Sequence, residues 1–173
     1  MSRSFDLLEP DWVALGVVGE PGRRTFYIQA GQGATIVTLK VEKTQVGGLA
    51  GFITDMLADL PEATEEQAGA SLAGGLREPV DAAWTVGAIQ LRYDNVADRV
   101  IIEAEELVVG LEDGGSAEEQ ATARIGLSRA QARSFVAVGS ELVSSGRPTC
   151  PLCGRPMNPE GHSCPRTNGH HSA

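Results

Sequence analysis

Residues 1–149 contain no cysteine and no histidine, and the three residues of each kind all lie between Cys150 and His171. This part of the chain therefore cannot build a Ser-His-Asp triad or a Cys-His pair by itself. Apolar runs such as residues 12–18 are too short to span a bilayer, and the first residues lack the apolar segment of a secretory signal. We expect a cytoplasmic protein without membrane insertion.

The chain is also poor in positive charge, with 14 Lys and Arg residues against 23 Asp and Glu residues and a formal net charge of −9. The tail from Arg147 onward contains three arginines and one glutamate, so it carries +2 and the rest of the chain carries −11. A protein this acidic repels phosphate backbones and anionic lipid surfaces. We therefore expect no general nucleic-acid binding.

The apolar residues that are present predict one folded domain with a small appendage. Residues 12–18, 24–30 and 34–41 are rich in β-branched and aromatic side chains, and the turn-forming stretches GEPG and GQG separate them. They predict an antiparallel meander. Residues 84–93 and 99–109 predict a hairpin that turns through DNVAD.

Two segments have helical spacing instead. Residues 46–60 carry apolar side chains every three to four positions, although Gly47 and Gly48 favour a late start. Ser128 and Gln131 form a capping box that predicts a second helix, which ends at Gly146.

The stretches between these elements, 61–80 and 110–126, predict loops. Meander and hairpin together favour an α+β fold with an antiparallel sheet, in the order βββ-α-ββ-α, over a doubly wound fold. This predicted domain comprises residues 1–146.

The remaining residues, 147–173, predict a small zinc knuckle. The stretch CPLCG places two thiolates at the spacing of a tight turn, and its glycine lets the backbone fold around an ion. A histidine and a third cysteine supply two further ligands. The predicted Cys3His set is Cys150, Cys153, His162 and Cys164. His170 or His171 could take the place of His162.

A chance cluster, a disulfide and a purification tag are the alternatives to a metal site. Three cysteines cannot all pair within one chain, the predicted compartment is reducing, and two adjacent histidines do not make a tag. A catalytic zinc keeps one coordination position open for water, whereas four protein ligands are available here. The sequence therefore favours a structural zinc over a catalytic one.

Carboxylates and arginines of the predicted sheet offer a second candidate site. Glu103 and Glu105 share a strand face with Arg99, and Gln90 and Arg92 share a face of the neighbouring strand. A carboxylate pair could hold Mg²⁺ or act in acid–base chemistry. An exposed, ion-paired sheet face is the alternative, and it is the interpretation that we favour.

The stretches GEPGRR and GQG could offer backbone amides to an anion, together with Arg23 and Arg24. Neither stretch matches a P-loop or a dinucleotide-binding pattern, and neither joins a strand to a helix. We therefore interpret both as hairpin turns.

The stretches FDLLEP, GEPGRRTFYIQA and CPLCGRPMNPEGHSCPRTNGH resemble a family of conserved hypothetical actinobacterial proteins, a domain of unknown function. The resemblance covers nearly the whole chain, and the tail is its most specific part. It implies that Cys150, Cys153, His162 and Cys164 are metal ligands. It also implies a gene trio with a phosphatidylinositol-kinase-like protein and a histidine-phosphatase-like phosphomutase, and hence protein partners.

Two functions follow as hypotheses. The first is a non-enzymatic zinc-binding adaptor or regulator that acts with partner proteins. The second is an enzyme or binding module for a phosphorylated small molecule, in which Arg23, Arg24, Arg92 and Arg99 meet the phosphate and Glu103 or Glu105 serves as acid–base group or Mg²⁺ ligand. A deep pocket lined by these residues would favour the second hypothesis, and a flat ion-paired face the first.

Overall fold

The computed structural model describes residues 2–61, 74–108, 120–146, 148–155, 157 and 162–166. These residues form seven strands and two helices. The strands are β1 (Phe5–Leu7), β2 (Trp12–Val18), β3 (Thr25–Gln32), β4 (Thr35–Val41), β5 (Trp84–Asp94), β6 (Arg99–Glu106) and β7 (Thr122–Ser128). Helix α1 (Lys43–Ala58) follows β4, and helix α2 (Arg129–Ser144) follows β7.

The strands form one mixed sheet in the order β1-β7-β6-β5-β4-β3-β2. The predicted α+β class is confirmed, but the predicted purely antiparallel sheet is wrong. Strands β1 and β7 pair in parallel, as do β4 and β5, which meet only at Leu39–Trp84 and Lys40–Thr85. Both parallel pairs join strands that are distant in sequence, which hairpin signals between consecutive strands cannot reveal.

Two strands lie outside the predicted order βββ-α-ββ-α. Strand β1 has only three residues, and β7 lies partly in the stretch 110–126, predicted as a loop. Helix α1 begins at Lys43, before both glycines, so the prediction of a late start is wrong. Its first turn is supported from outside the helix, because the Gln45 side chain donates to the carbonyl oxygens of Val86 and Gly87.

The core lies between one face of the sheet and the two helices, which pack against each other. Buried apolar side chains come from every strand and from both helices, and Phe135 of α2 is fully buried. Gly139 of α2 lies where this helix packs against both α1 and β2. A Cβ atom there would lie 3.4 Å from Leu15 Cδ2 and from Val46 Cγ1. The small residue therefore lets α2 sit deep between α1 and the sheet.

A strap, residues 74–83, covers part of the other sheet face. The buried Gln29 amide donates to the Arg77 carbonyl oxygen at 3.0 Å and accepts from the Arg77 backbone N–H at 2.7 Å. The Arg77 guanidinium lies 3.8 Å from the ring centre of Trp12. Thr38, to which the Gln29 amide also donates, lies on this covered face and is therefore buried as well. Residues 62–73 of the predicted loop 61–80 lie outside the described residues.

The sheet is strongly curled, because its two edge strands are consecutive in sequence. Seven strands spaced about 4.8 Å apart would separate the edges of a flat sheet by about 29 Å. The five Cα–Cα steps from Leu7 to Trp12 cover at most about 19 Å. Accordingly, the Leu8 backbone contacts Gly126 of β7, whereas the next backbone N–H, that of Glu9, donates to the Gln32 side chain of β3.

Neither of the helices described here has the length and the apolar character that a membrane crossing requires.

Candidate metal centre

The four predicted ligand residues come together in the structure. The Sγ atoms of Cys150, Cys153 and Cys164 and a ring nitrogen of His162 all lie within 4.8 Å of one another. The Sγ atoms of Cys150 and Cys164 are 3.9 Å apart, and Cys153 Sγ lies 3.1 Å from His162 Nε2. Within the part of the chain that the structure describes, these four side chains form a group that could hold a metal ion.

The sulfur–sulfur distance distinguishes the alternatives considered for these cysteines. A disulfide requires about 2.05 Å, and Cys150, Cys153 and Cys164 form no disulfide among the described residues. Two sulfurs bound to one tetrahedral ion at about 2.3 Å would lie about 3.8 Å apart. The observed 3.9 Å between Cys150 and Cys164 matches shared coordination and excludes a disulfide in this arrangement.

A tight backbone turn positions the first two cysteines. The Gly154 N–H donates to the Cys150 carbonyl oxygen at 2.8 Å, and the Cys150 N–H donates to the Arg155 carbonyl oxygen at 2.8 Å. Gly154 has φ = +71°, a left-handed conformation that strongly favours glycine. The glycine of CPLCG is thus required by the backbone, as the sequence indicated.

The group is only partly shielded from water. Cys150 is buried, whereas Cys153, His162 and Cys164 are half-buried. A backbone hydrogen bond at Arg155 lowers the pKa of the Cys153 thiol, but desolvation and the neighbouring thiols of Cys150 and Cys164 raise this pKa more, so the net shift is upward. A metal must therefore displace protons from this cluster when it binds.

His162 lies within the cluster, while His170 and His171 lie outside the described residues.

The sheet-face residues form ion pairs. Arg92 Nε lies 2.8 Å from Glu103 Oε1, and Arg92 also approaches Asp94 at 3.9 Å. In the same sheet, Arg124 of β7 forms a bidentate hydrogen bond with the Asp6 carboxylate of β1, at 2.6 and 2.7 Å. This hydrogen bonding lowers the pKa of the Asp6 carboxyl. These pairs match the ion-paired face that we favoured over a Mg²⁺ site.

Of the four arginines of the second hypothesis, Arg92 contacts Glu103, but the structure does not bring Arg24 to this pair. Arg24 stands beside the β2–β3 turn, where it donates to the Ser145 carbonyl oxygen at 2.7 Å at the end of α2. Arg92 lies on β5 and Arg99 at the start of β6. The stretch around GEPG does form a turn between β2 and β3, with Gly19 and Gly22 at φ = 101° and 95°.

Sequence reasoning missed a buried polar cluster at the far end of β5. Arg129, which is only 7% exposed, donates from Nε to Asp98 Oδ1 at 2.7 Å and from a second nitrogen to the Tyr93 hydroxyl at 3.1 Å. The available signal was an arginine in the first turn of α2, where positive charge is unfavourable unless a partner holds it.

Fold and site together define an α+β protein with a C-terminal Cys3His group. The chain belongs to the family described as "Protein of unknown function (DUF3090)", whose match covers residues 5–164. The match therefore begins with β1 and ends at Cys164, the last residue of the Cys3His group. No curated protein and no solved structure matches the chain.

Proposed function

We propose that Cys150, Cys153, His162 and Cys164 hold one structural zinc ion, and that the chain is a non-enzymatic, cytoplasmic adaptor or regulator of partner proteins. The observation that carries the zinc assignment is the convergence of three thiols and one imidazole within 4.8 Å. Cys3His is among the usual sets of closed tetrahedral zinc sites. With four protein ligands, such a site leaves no position for a reacting water.

The zinc would order a segment too short to have its own core. Zinc binding contributes about 10–16 kcal/mol to the folding of small zinc-finger peptides at neutral pH. That free energy far exceeds what two backbone hydrogen bonds at Cys150 contribute, at about 1 kcal/mol each. We propose that residues 147–173 form a knuckle that folds with its ion and that residues 1–146 form a separate α+β domain.

Metal analysis of tag-free protein, purified under reducing conditions, tests the assignment. We expect one equivalent of zinc per chain. Cys153→Ser should lose most of this zinc, because the substitution removes one of four ligands. Ser163→Ala changes a neighbour that is not a ligand and should keep full occupancy. Wild-type protein without bound metal, or Cys153→Ser with full occupancy, would contradict the proposal.

The adaptor role rests on a surface that the knuckle presents. Leu152, between the two cysteines of the CPLC turn, is 54% exposed. An exposed apolar side chain is a suitable contact point for another protein, since covering it contributes about 25 cal/mol per Å² of apolar surface removed from water. The gene trio implied by the resemblance makes a kinase-like and a phosphatase-like protein the partners that we propose.

A reconstitution experiment tests this role. The full-length protein would be mixed with each purified candidate partner, and the dissociation constant would be measured. We expect binding to at least one partner, weakened by Leu152→Ser. Leu107→Ser is the matched control, because Leu107 is 50% exposed but lies in the α+β domain. Binding to neither partner at micromolar concentration, or equal weakening by both substitutions, would remove the basis for the adaptor role.

A further inference from the structure

A cleft of about 350 Å³ lies where four chain segments meet. It is bounded by the β2–β3 turn with Arg24, the end of β4 with Lys40, the start of α1 with Lys43, and the end of α2 with Ser145. Its volume is at the lower end of the range of small-molecule sites, about 300–1,000 Å³. None of the four residues of the Cys3His group lines the cleft.

The charge of this cleft is opposite to that of the protein. Lys40 and Lys43 are the two lysines of the whole chain, and both line the cleft together with Arg24. The lining contains one acidic residue, Glu42. The start of α1 and the end of α2 contribute partial charges of about +0.5 and −0.5, which cancel. The cleft therefore carries about +2 in a chain whose net charge is −9.

Two of the three cations of the cleft stabilise the end of α2. Arg24 donates to the carbonyl oxygen and the hydroxyl of Ser145 at 2.7 and 3.0 Å. Lys43 Nζ lies beside Gly146, 3.4 Å from where a Cβ atom would stand. Both cations thus face the negative end of the α2 dipole, and they supply the positive charge that the last turn of α2 lacks.

Lys40 has no such role. It lies on β4 opposite Tyr27 of β3 and Thr85 of β5, it is half-buried, and it has no ion-pair partner among the residues that the structure describes. An anion in the cleft would provide one, and it would also engage the Arg24 nitrogens that Ser145 does not use.

We propose that this cleft binds a phosphate dianion, either free or as the monoester of a small molecule. A phosphate monoester carries about −1.5 to −2 at neutral pH, which balances the charge of the cleft. The arginine fork and the two ammonium groups are the side chains that hold such oxygens in proteins. Arg92, Arg99 and Glu103, on the ion-paired sheet face, take no part.

The two lysines give the proposal a direct readout. Full-length protein with carbon-13 only in its lysine side chains yields signals from two residues, and both line the cleft. We would titrate it with inorganic phosphate, ribose 5-phosphate and ribose at constant ionic strength. A change in ionic strength alone would alter the screening of the lysine charges and could shift their signals without binding. Phosphate and ribose 5-phosphate should shift both lysine signals saturably, and ribose should shift neither. Tighter binding of the ester would identify a phosphorylated small molecule as the ligand, and equal binding would identify free phosphate.

Matched substitutions complete the test. Lys40→Gln should weaken phosphate binding by about tenfold or more, the factor expected for a lost charge-assisted hydrogen bond. Arg133→Gln removes the same charge from an exposed position in the second turn of α2, away from the cleft, and should leave binding unchanged. Unsaturable shifts in the wild-type protein, or equal weakening by both substitutions, would overturn the proposal.

Discussion

Arg129 occupies a position in the first turn of α2 where the helix dipole disfavours positive charge by about 0.3–1 kcal/mol. Its guanidinium is turned instead to three oxygen atoms, those of Asp98, the Tyr93 hydroxyl and the Pro61 carbonyl. Hydrogen bonds to charged groups contribute about 1.5–3 kcal/mol each. The local cost is therefore smaller than the gain from tying α2 to the β5–β6 turn and to the segment after α1.

Asp98 is the acidic member of this cluster and has a left-handed backbone, with φ = 53°. Burial raises the pKa of its carboxyl. This effect is outweighed by hydrogen bonds from Tyr93 and Arg129 and by the charges of Arg129 and Arg99, so the pKa lies below its usual value of 3.8. Burial and the hydrogen bond to Asp98 raise the pKa of Tyr93. The cluster is thus held with an ionised aspartate and a neutral tyrosine.

Asp98→Asn should lower the free energy of unfolding at pH 7 by about 1–2 kcal/mol, because the charge-assisted bond with Arg129 is lost. Asparagine tolerates the left-handed backbone, so strain does not contribute. A carboxyl whose pKa is lowered on folding stabilises the protein above the unfolded pKa, and this stability is lost as the pH falls through the folded pKa. The difference in unfolding free energy between the wild-type protein and Asp98→Asn should therefore become smaller as the pH falls below 3.8. Urea titrations between pH 7 and pH 2.5 measure it.

Asp55→Asn, at an exposed position on α1, is the control and should change the free energy of unfolding by less than about 0.5 kcal/mol at any pH. An Asp98→Asn deficit that stays constant over the whole range would show that the charge of Asp98 is not the stabilising feature.

At the scale of single elements, local pattern predicted most of the structure. Strand β2 has the predicted bounds, and α2 begins with the predicted capping box, in which Ser128 Oγ accepts from the Gln131 N–H at 3.2 Å. Strand β7 was missed because Thr122–Ser128 has only one β-branched apolar residue, Ile125, and also contains an alanine and a glycine, which favour strands weakly. Its alternating buried residues, Ala123, Ile125 and Leu127, carried a period-two signal that composition obscured.

Gly126 in β7 lets the Leu8 backbone approach this strand closely. A Cβ atom there would lie 2.1 Å from the Leu8 carbonyl oxygen and 2.8 Å from the Leu8 carbonyl carbon. Both atoms belong to backbone, which cannot rotate aside. Gly126→Ala should lower the free energy of unfolding by about 3 kcal/mol or more, as measured by urea denaturation, because the chain after β1 must move away from β7.

Gly51→Ala is the matched control, because Gly51 lies in α1 and a Cβ atom there has open space. It should raise the free energy of unfolding by about 0.5–1 kcal/mol through better helix propensity. Similar changes in the two variants would refute the close approach of Leu8 to β7.

At the scale of the whole molecule, sequence reasoning found the class but not the topology. The pairing of Phe5 with Ala123 joins residues that have no local relation, and the β4–β5 junction comprises only two residue pairs. No periodicity encodes such contacts. The metal-ligand group was accessible from sequence because thiols and imidazoles at knuckle spacing have few other uses. The phosphate cleft was not, since its three cations come from three segments that meet the end of α2 only in the folded chain.

The division between domain and knuckle makes a prediction at this scale. A chain ending at Gly146 should unfold cooperatively on heating, followed by circular dichroism, because α2 completes its packing before the knuckle begins. A chain ending at Val138 should not, because it lacks Gly139, where α2 contacts Leu15 and Val46. Loss of cooperativity in the chain ending at Gly146 would place the knuckle within the domain.

The curled sheet also determines when the protein can assemble. Strand β1 forms its ladder with β7, which follows it by more than a hundred residues, so β1 must wait until those residues have been synthesised. Contacts this distant in sequence slow folding, because loop closure must precede any gain from pairing. We expect the β2–β3–β4 meander to form early and independently. Docking of Phe5–Leu7 would then be the closing step, and a nascent chain would carry its first strand unpaired until nearly all of the domain had emerged.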